Sequence, residues 1–204
     1  MLALALCLLC HVSPVQHAFD TSVVIVADHL GDDGKMVYGD TICTGFVITS
    51  EKAYEVIGTA RHCTEDVSDR GVLFFDGDHG RVVGVDASQD ADVAILYVRS
   101  MRSHPVVQFS SDNVQPGQRY FLVGMGSGDP WSYASLISRN GSEDYADDNG
   151  PQITFEAPSV WFGDSGSAVF DERGHVVGVL VAGMDQERPG VVFAAPISYI
   201  QDLL

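Results

Sequence analysis

Apolar residues in this chain come in short runs, not in long helical stripes. Segments 22–27, 45–48, 54–59, 71–75, 81–86 and 93–98 are rich in Val, Ile, Leu and Phe and are separated by Gly- and Asp-containing turns, so each reads as a strand. A polar, proline-containing stretch, 99–118, interrupts the series. Beyond it, segments 120–124, 131–138, 152–155, 168–170, 176–181 and 190–194 repeat the pattern. Periodicity alone therefore predicts an all-β protein. The chain end differs. Pro196 followed by Ile197, Ile200 and Leu203 has the spacing of a short amphipathic helix, with Pro at its first position.

The start of the chain is apolar from Leu2 to Leu9, and no charged residue precedes Asp20. That run is shorter than the roughly 20 residues a membrane span needs, and it fits the core of a secretory signal peptide. A cut near Ala18 is expected, although the run lacks a positive flank and Gln16 is a poor residue at the minus-three position. Neither Cys7 nor Cys10 follows a small residue, so no lipid anchor is expected there. The predicted division is a leader, 1–18, a first β-unit, 19–105, and a second, 106–204.

Composition suits a compact β-protein outside the cytoplasm. The 204 residues are 46% hydrophobic with 21 glycines, which matches many strands joined by tight turns. Net charge is −17, from 11 basic and 28 acidic residues, with no basic stripe. Such a surface repels phosphate backbones and anionic lipid, so nucleic acid is excluded as an expected partner. The acidity reads as a solvated, soluble surface. No pattern in the chain bears on its oligomeric state.

The stretch W-F-G-D-S-G-S-A, 161–168, carries the clearest chemistry. A serine hydroxyl becomes a nucleophile only with a base to take its proton and donors for the oxyanion that forms on attack. Glycines on both sides of Ser165 let the chain turn sharply and expose the amides of Gly163 and Ser165. A base is available in Thr59-Ala60-Arg61-His62-Cys63, and an acid in Asp90-Ala91-Asp92-Val93-Ala94-Ile95-Leu96. Asp90 competes with Asp92, and Asp92 is preferred because the apolar run begins directly after it. Each motif alone has a plain structural reading as a turn or strand edge. Their order, His then Asp then Ser, differs from subtilisin-type enzymes and from α/β-hydrolases.

These residues resemble the trypsin/chymotrypsin-like serine protease family. T-A-R-H-C is similar to the family's A-A-H-C, D-V-A-I-L to D-I-A-L-L, and G-D-S-G-S to G-D-S-G-G. The likeness continues through 174–179 and 189–192, so it runs from about residue 40 to the end. It implies two six-stranded antiparallel Greek-key barrels with a short C-terminal helix. It also implies a secreted or periplasmic serine endopeptidase acting on proteins or peptides through an acyl-enzyme. His62, Asp92 and Ser165 would be catalytic, Gly163 and Ser165 would form the oxyanion hole, and no metal or cofactor would be needed. Cys43 and Cys63 resemble the family's histidine-loop disulfide, two free thiols being the alternative. Counting from Ser165 puts Ser159 at the floor of the specificity pocket, with Val160, Gly183, Gly190 and Val192 around it. No carboxylate stands at that floor, so a bulky apolar residue on the acyl side of the cut is expected.

Departures from the family pattern matter as well. The I-V-G-G-like new N-terminus that pairs with the aspartate before the serine is missing, which leaves the partner of Asp164 open. Ser167 replaces the last glycine of G-D-S-G-G, and Val181 stands where a supporting serine is usual. Phe109-Ser110-Ser111-Asp112 ahead of Gly117 resembles the HtrA-like branch, and no PDZ domain is expected after Leu204. Asp76-Gly77-Asp78 and the cluster Asp144, Asp147, Asp148, Asn149 do not match a calcium loop and read as solvated turns. Asn140-Gly141-Ser142 is a glycosylation sequon. The rival function is a non-catalytic protease homologue serving as a binding module. Retention of His62, Asp92 and Ser165 with their glycines favours the enzyme.

Overall fold

Both sets of strands close into barrels in the computed structural model, which describes residues 12–204 apart from 28, 31–35, 38–40, 66–69, 127–129, 145–149 and 184–189. A helix, α1 (Pro14–Thr21), comes first, followed by β1 (Ser22–Ala27), β2 (His29–Leu30), β3 (Met36–Val37), β4 (Thr41–Glu51), β5 (Tyr54–Thr59), β6 (Arg70–Phe74), β7 (His79–Ala87) and β8 (Ala94–Arg99). Strands β2 and β3 form a separate hairpin, and the other six close in the order β1-β4-β5-β8-β7-β6, every pairing antiparallel. The second set is β9 (Gln108–Phe109), β10 (Arg119–Gly124), β11 (Ser132–Asp144), β12 (Pro151–Glu156), β13 (Ala168–Phe170), β14 (His175–Gly183) and β15 (Val191–Pro196), ending in α2 (Ser198–Gln201). Six of these form the ring β13-β10-β11-β12-β15-β14, closed because β13 also pairs with β14.

The strands form where apolar, β-branched residues can be buried, and ladder pairing then carries them beyond those runs. β4 reaches Thr41 and Glu51 because Val26 pairs with Thr41 on one side and Tyr54 with Glu51 on the other. The polar stretch after β8 contains a strand that its composition hides: β9 lies parallel to β14, with His175 opposite Gln108. The C-terminal helix is present but starts later than the proline suggested. Pro196 is the last residue of β15, opposite Gly178, and the helix begins at Ser198.

One core cluster runs through both barrels. It joins Phe46, Phe74 and Ile95 of the first to Phe121, Phe170 and Phe193 of the second, and it includes Ile200 of α2. A second cluster, with Leu122, Leu136, Phe155 and Leu180, fills the second barrel. Phe46, Phe74, Phe155 and Phe170 are fully buried, and burying each contributes about 1.5–3 kcal/mol.

Helix α1 lies across the expected cut near Ala18, whose side chain is buried in the shared core. Ser13 caps it, accepting from the Gln16 amide at 3.1 Å. At its end the Thr21 and Ser22 hydroxyls donate back to the His17 and Ala18 carbonyls at 2.9 and 2.7 Å. Cys7, Cys10 and the apolar run lie outside the described residues. No helix among the described residues is long and apolar enough to cross a membrane.

Candidate active site

Strand pairing in the first barrel brings the histidine and the aspartate together. β5 and β8 are antiparallel neighbours in a register that sets Thr59 opposite Ala94. The chain leaving β5 therefore runs beside the chain entering β8. Residues Arg61–Thr64 form a single 3-10 turn there. The Arg61 amide donates to the Asp92 carbonyl at 3.2 Å, and the His62 amide to Asp92 Oδ1 at 2.9 Å. The other carboxylate oxygen, Oδ2, lies 2.6 Å from His62 Nδ1. Such a partner fixes the tautomer with the proton on Nδ1 and leaves the Nε2 lone pair free to accept a proton. Asp92 is 8% exposed, and the imidazole is open on one side. Asp90, the competing acid, is exposed, and among the described residues its amide rather than its carboxylate is engaged, donating to Ser88 Oγ.

Arg61 and a disulfide fasten this turn. The Arg61 guanidinium donates to the Ser88 carbonyl at 3.0 Å, tying the histidine turn to the loop that carries Asp92. Cys43 of β4 is bonded to Cys63, next to His62, so the sulfurs are covalently engaged. The Cys43, His62 and Cys63 ligand atoms lie within 4.8 Å of one another, yet a disulfide offers no thiolate to a metal ion.

Ser165 belongs to the second barrel, on the turn that leads into β13. The Gly166 amide donates to the Leu180 carbonyl at 2.7 Å and the Leu180 amide returns a bond to the Ser167 carbonyl at 2.9 Å, which pins the turn to β14. The first barrel holds its other side. Thr44 donates its amide to the Ser165 carbonyl and its hydroxyl to the Gly163 carbonyl, each at 2.8 Å. Gly166 has φ +84°, and a Cβ there would lie 2.1 Å from the Thr44 carbonyl oxygen. Only glycine fits both the left-handed backbone and the contact between barrels. Gly163 also has a positive φ, +97°. Among the described residues, neither its amide nor that of Ser165 donates to the protein.

Asp164, whose partner the sequence left open, is completely buried and has no cationic neighbour among the described residues. Its Oδ2 accepts from the Trp161 amide at 2.9 Å. Burial pushes its carboxyl pKa up, while the amides of Trp161, Met125 and Gly126 pull it back. Among the described residues its Oδ1 and the buried Ser167 hydroxyl have no hydrogen-bond partner, and both border the space that a Cβ on Gly124 would fill.

A cavity of about 350 Å³ opens between the two motifs, lined by His62, Ser165 and the apolar groups Val160, Trp161, Phe162, Leu180, Val181, Ala182 and Gly183. Of the residues expected to shape the specificity pocket, the structure brings Val160 and Gly183 to this cavity. Ser159 is exposed on a turn, and Gly190 is absent from the lining. Val192 is buried behind Gly183, its Cγ1 3.2 Å from where a Cβ would sit. Val181 lines the cavity. Sequence reasoning missed Trp161 and Phe162, although an aromatic pair directly before the Gly163 turn was a signal for them. A larger depression of about 780 Å³ lies elsewhere and carries paired surface charges, Arg173 with Asp112 and Arg119 with Glu172. Chemistry rather than volume marks the site.

The acidic turn at Asp76 and Asp78 is not merely solvated. The Nδ1 of buried His104 lies 2.9 Å from Glu55 Oε1, and its Nε2 lies 3.6 and 3.7 Å from Asp76 and Asp78 oxygens. Arg102 completes the pairing at 3.5 Å from Asp76. The second acidic cluster, beyond Asp144, lies outside the described residues, and the sequon falls on β11.

Comparison with known proteins agrees with this architecture. The model of the trypsin-like peptidase domain family matches residues 43–179, about two thirds of the chain. Protease Do-like 5, chloroplastic, of Arabidopsis thaliana is 26% identical over 171 residues, covering 78% of this chain and 51% of its own. This chain thus spans about half the length of that curated relative. Among solved structures, the HtrA-type protease AlgW with a decapeptide superposes with a TM-score of 0.80 at 18% identity, over 94% of this chain and 65% of that one. Rv3671c from M. tuberculosis, in an inactive serine-to-alanine form, gives 0.71 at 21% identity, over 93% and 87%.

Proposed function

The chain belongs to the trypsin-like peptidase domain family, and from that premise we propose that it is a serine endopeptidase using His62, Asp92 and Ser165. The observation that carries this reading is the paired contact of Asp92 with His62, through the ring Nδ1 and the backbone amide, at the mouth of a cavity that also holds Ser165. In the proposed reaction His62 Nε2 takes the hydroxyl proton as Ser165 Oγ attacks a peptide carbonyl. Asp92 holds the ring and stabilises the imidazolium. The amides of Gly163 and Ser165, which have no other acceptor among the described residues, bind the oxyanion. His62 then passes its proton to the leaving amine, and water, activated by the same imidazole, hydrolyses the acyl-enzyme.

Substrate class and location follow from the same surroundings. Among the described residues the cavity lining contains no carboxylate, so a bulky apolar residue such as Leu, Phe, Tyr or Met is preferred on the acyl side of the cut. The Cys43–Cys63 bridge needs an oxidising compartment, which supports a secreted or periplasmic enzyme. Incubation with a diverse peptide library tests the reading. Cleavage after apolar residues, lost in Ser165→Ala, is expected. A folded wild-type protein that cuts nothing, or a Ser165→Ala protein that still cuts, would overturn it.

A further inference from the structure

The Asp92 carboxylate is held by a single residue. Among the described residues its hydrogen-bond partners are the His62 amide, at 2.9 Å, and the His62 ring Nδ1, at 2.6 Å. Val181, at the position where the family usually carries a supporting serine, has no hydroxyl to offer it. An aspartate held only by the group it must orient needs its loop fixed from elsewhere, because slippage of that loop carries the carboxylate away from the ring and misplacement of about 1 Å can cost 100-fold in rate.

The loop that carries Asp92 joins β7 to β8 and closes on itself. The Ser88 amide donates to the Val93 carbonyl at 2.9 Å, and the Asp90 amide to Ser88 Oγ at 3.2 Å, so Asp92 moves with Ser88. Arg61 reaches this loop at two points. Its backbone amide donates to the Asp92 carbonyl at 3.2 Å, and its guanidinium donates to the Ser88 carbonyl at 3.0 Å. The second bond has a charged donor, which makes it stronger than a neutral one. Where the family pattern A-A-H-C has a small alanine directly before the histidine, this chain has a half-buried arginine, and only the longer side chain spans the gap. Arg61 is not among the residues that line the cavity.

We propose that Arg61 is a positioning residue: its guanidinium clamps the loop 88–93 to the histidine turn and keeps Asp92 aligned with His62, the task left open by the valine at position 181. This rests on the serine-endopeptidase reading above. The clamp touches neither the substrate nor the reacting atoms, so it acts through Asp92. Its contribution appears in kcat, while KM is unaffected because the cavity keeps its lining. Where no carboxylate is present at position 92, the clamp has nothing to align.

Arg61→Ala tests the clamp in a double-mutant cycle with Asp92→Asn. Alone, it lowers kcat by about 10- to 100-fold, the scale of one hydrogen bond to a charged group, and leaves KM within about twofold of wild type. In the Asp92→Asn background the same change lowers kcat by less than about threefold. Arg61→Lys, which keeps the charge and a donor, retains more activity than Arg61→Ala. An unchanged kcat in folded Arg61→Ala protein, equal losses in the two backgrounds, or a loss confined to KM would overturn the proposal. Should the alanine protein fail to fold, Arg61→Gln, which keeps the stem and loses the charge, takes its place in the cycle. A second readout needs no turnover. A histidine Nδ1 proton bonded to a carboxylate gives a far-downfield NMR signal, and that of His62, identified by its loss in His62→Ala, exchanges with water faster in Arg61→Ala than in wild type; equal exchange rates would contradict the clamp. Failure of the catalytic reading shows differently, as absent cleavage by wild-type protein in which the exchange difference persists.

Discussion

Replacing Gly166 by alanine inserts one methyl group between the two barrels. The new Cβ would sit 2.1 Å from the Thr44 carbonyl oxygen, 2.3 Å from the Thr59 hydroxyl and 3.1 Å from the Ala60 nitrogen. Normal contacts of this kind are about 3.5 Å, so the β4 backbone must retreat by more than 1 Å or the turn must leave it. Thr44 cannot move freely. Its amide and hydroxyl hold Ser165 and Gly163, and its carbonyl accepts from Thr59 Oγ1 at 2.8 Å. Losing two of these bonds costs about 1–3 kcal/mol, and an alanine at φ +84° adds about 1–2 kcal/mol. The expected destabilisation is therefore roughly 2–5 kcal/mol, and kcat falls with it because the same bonds position the nucleophile. Urea unfolding and turnover of a fluorogenic peptide measure both. Thr59→Ala removes one of the colliding atoms, so the double variant should be less destabilised than the sum of the two singles. Wild-type stability and activity in Gly166→Ala would refute the contact as described.

Three more outcomes are expected. Asp92→Asn lowers kcat by about 10⁴-fold, the scale of the corresponding change in other triad enzymes, because the wrong tautomer then faces Ser165; Asp90→Asn leaves kcat near wild type, and a reversal of these effects would move the acid to Asp90. Burial raises the folded-state pKa of Asp164, so the folded protein holds that proton more tightly than the unfolded chain. Its contribution to stability is fully present below the ordinary carboxylate pKa, about 3.9, and is lost as pH rises through the raised value. In urea midpoints from pH 4 to 8, Asp164→Asn therefore removes part of the fall in stability with rising pH, and its amide can donate to the unpartnered Ser167 hydroxyl; identical pH slopes would contradict this. Serine at both Cys43 and Cys63 costs about 3 kcal/mol for a 20-residue separation in the chain-entropy picture, and an unchanged unfolding midpoint would speak against that account.

Much of the architecture was readable because burial on a strand leaves a local mark. The runs at 22–27 and 54–59 coincide with β1 and β5. Closure of the rings was not written locally, since β1 meets β6 and β13 meets β10 across long stretches of chain. β9 escaped notice because two residues carry no periodicity. Helix α1, which spans the expected cut near Ala18, begins with Ser13 followed by Pro14, a helix-start signal that the sequence reading passed over. At the site, the motifs named the residues, while register decided which aspartate meets His62: Thr59 opposite Ala94 brings Asp92 alongside the histidine turn. The exposure of Phe162 was hidden because it is a property of the folded turn. The surroundings of Asp164 were hidden too, since its hydrogen-bonding groups come from the backbone, which every residue type shares.

Covalent capture of the nucleophile tests the central claim most directly. A fluorophosphonate reacts only with a serine whose hydroxyl is activated by a neighbouring base and whose adduct is held by oxyanion donors. Peptide mass mapping after labelling should place a single adduct on Ser165, with labelling abolished in His62→Ala and strongly slowed in Asp92→Asn. A folded protein that takes up no label, or an adduct on a different serine, would contradict the account.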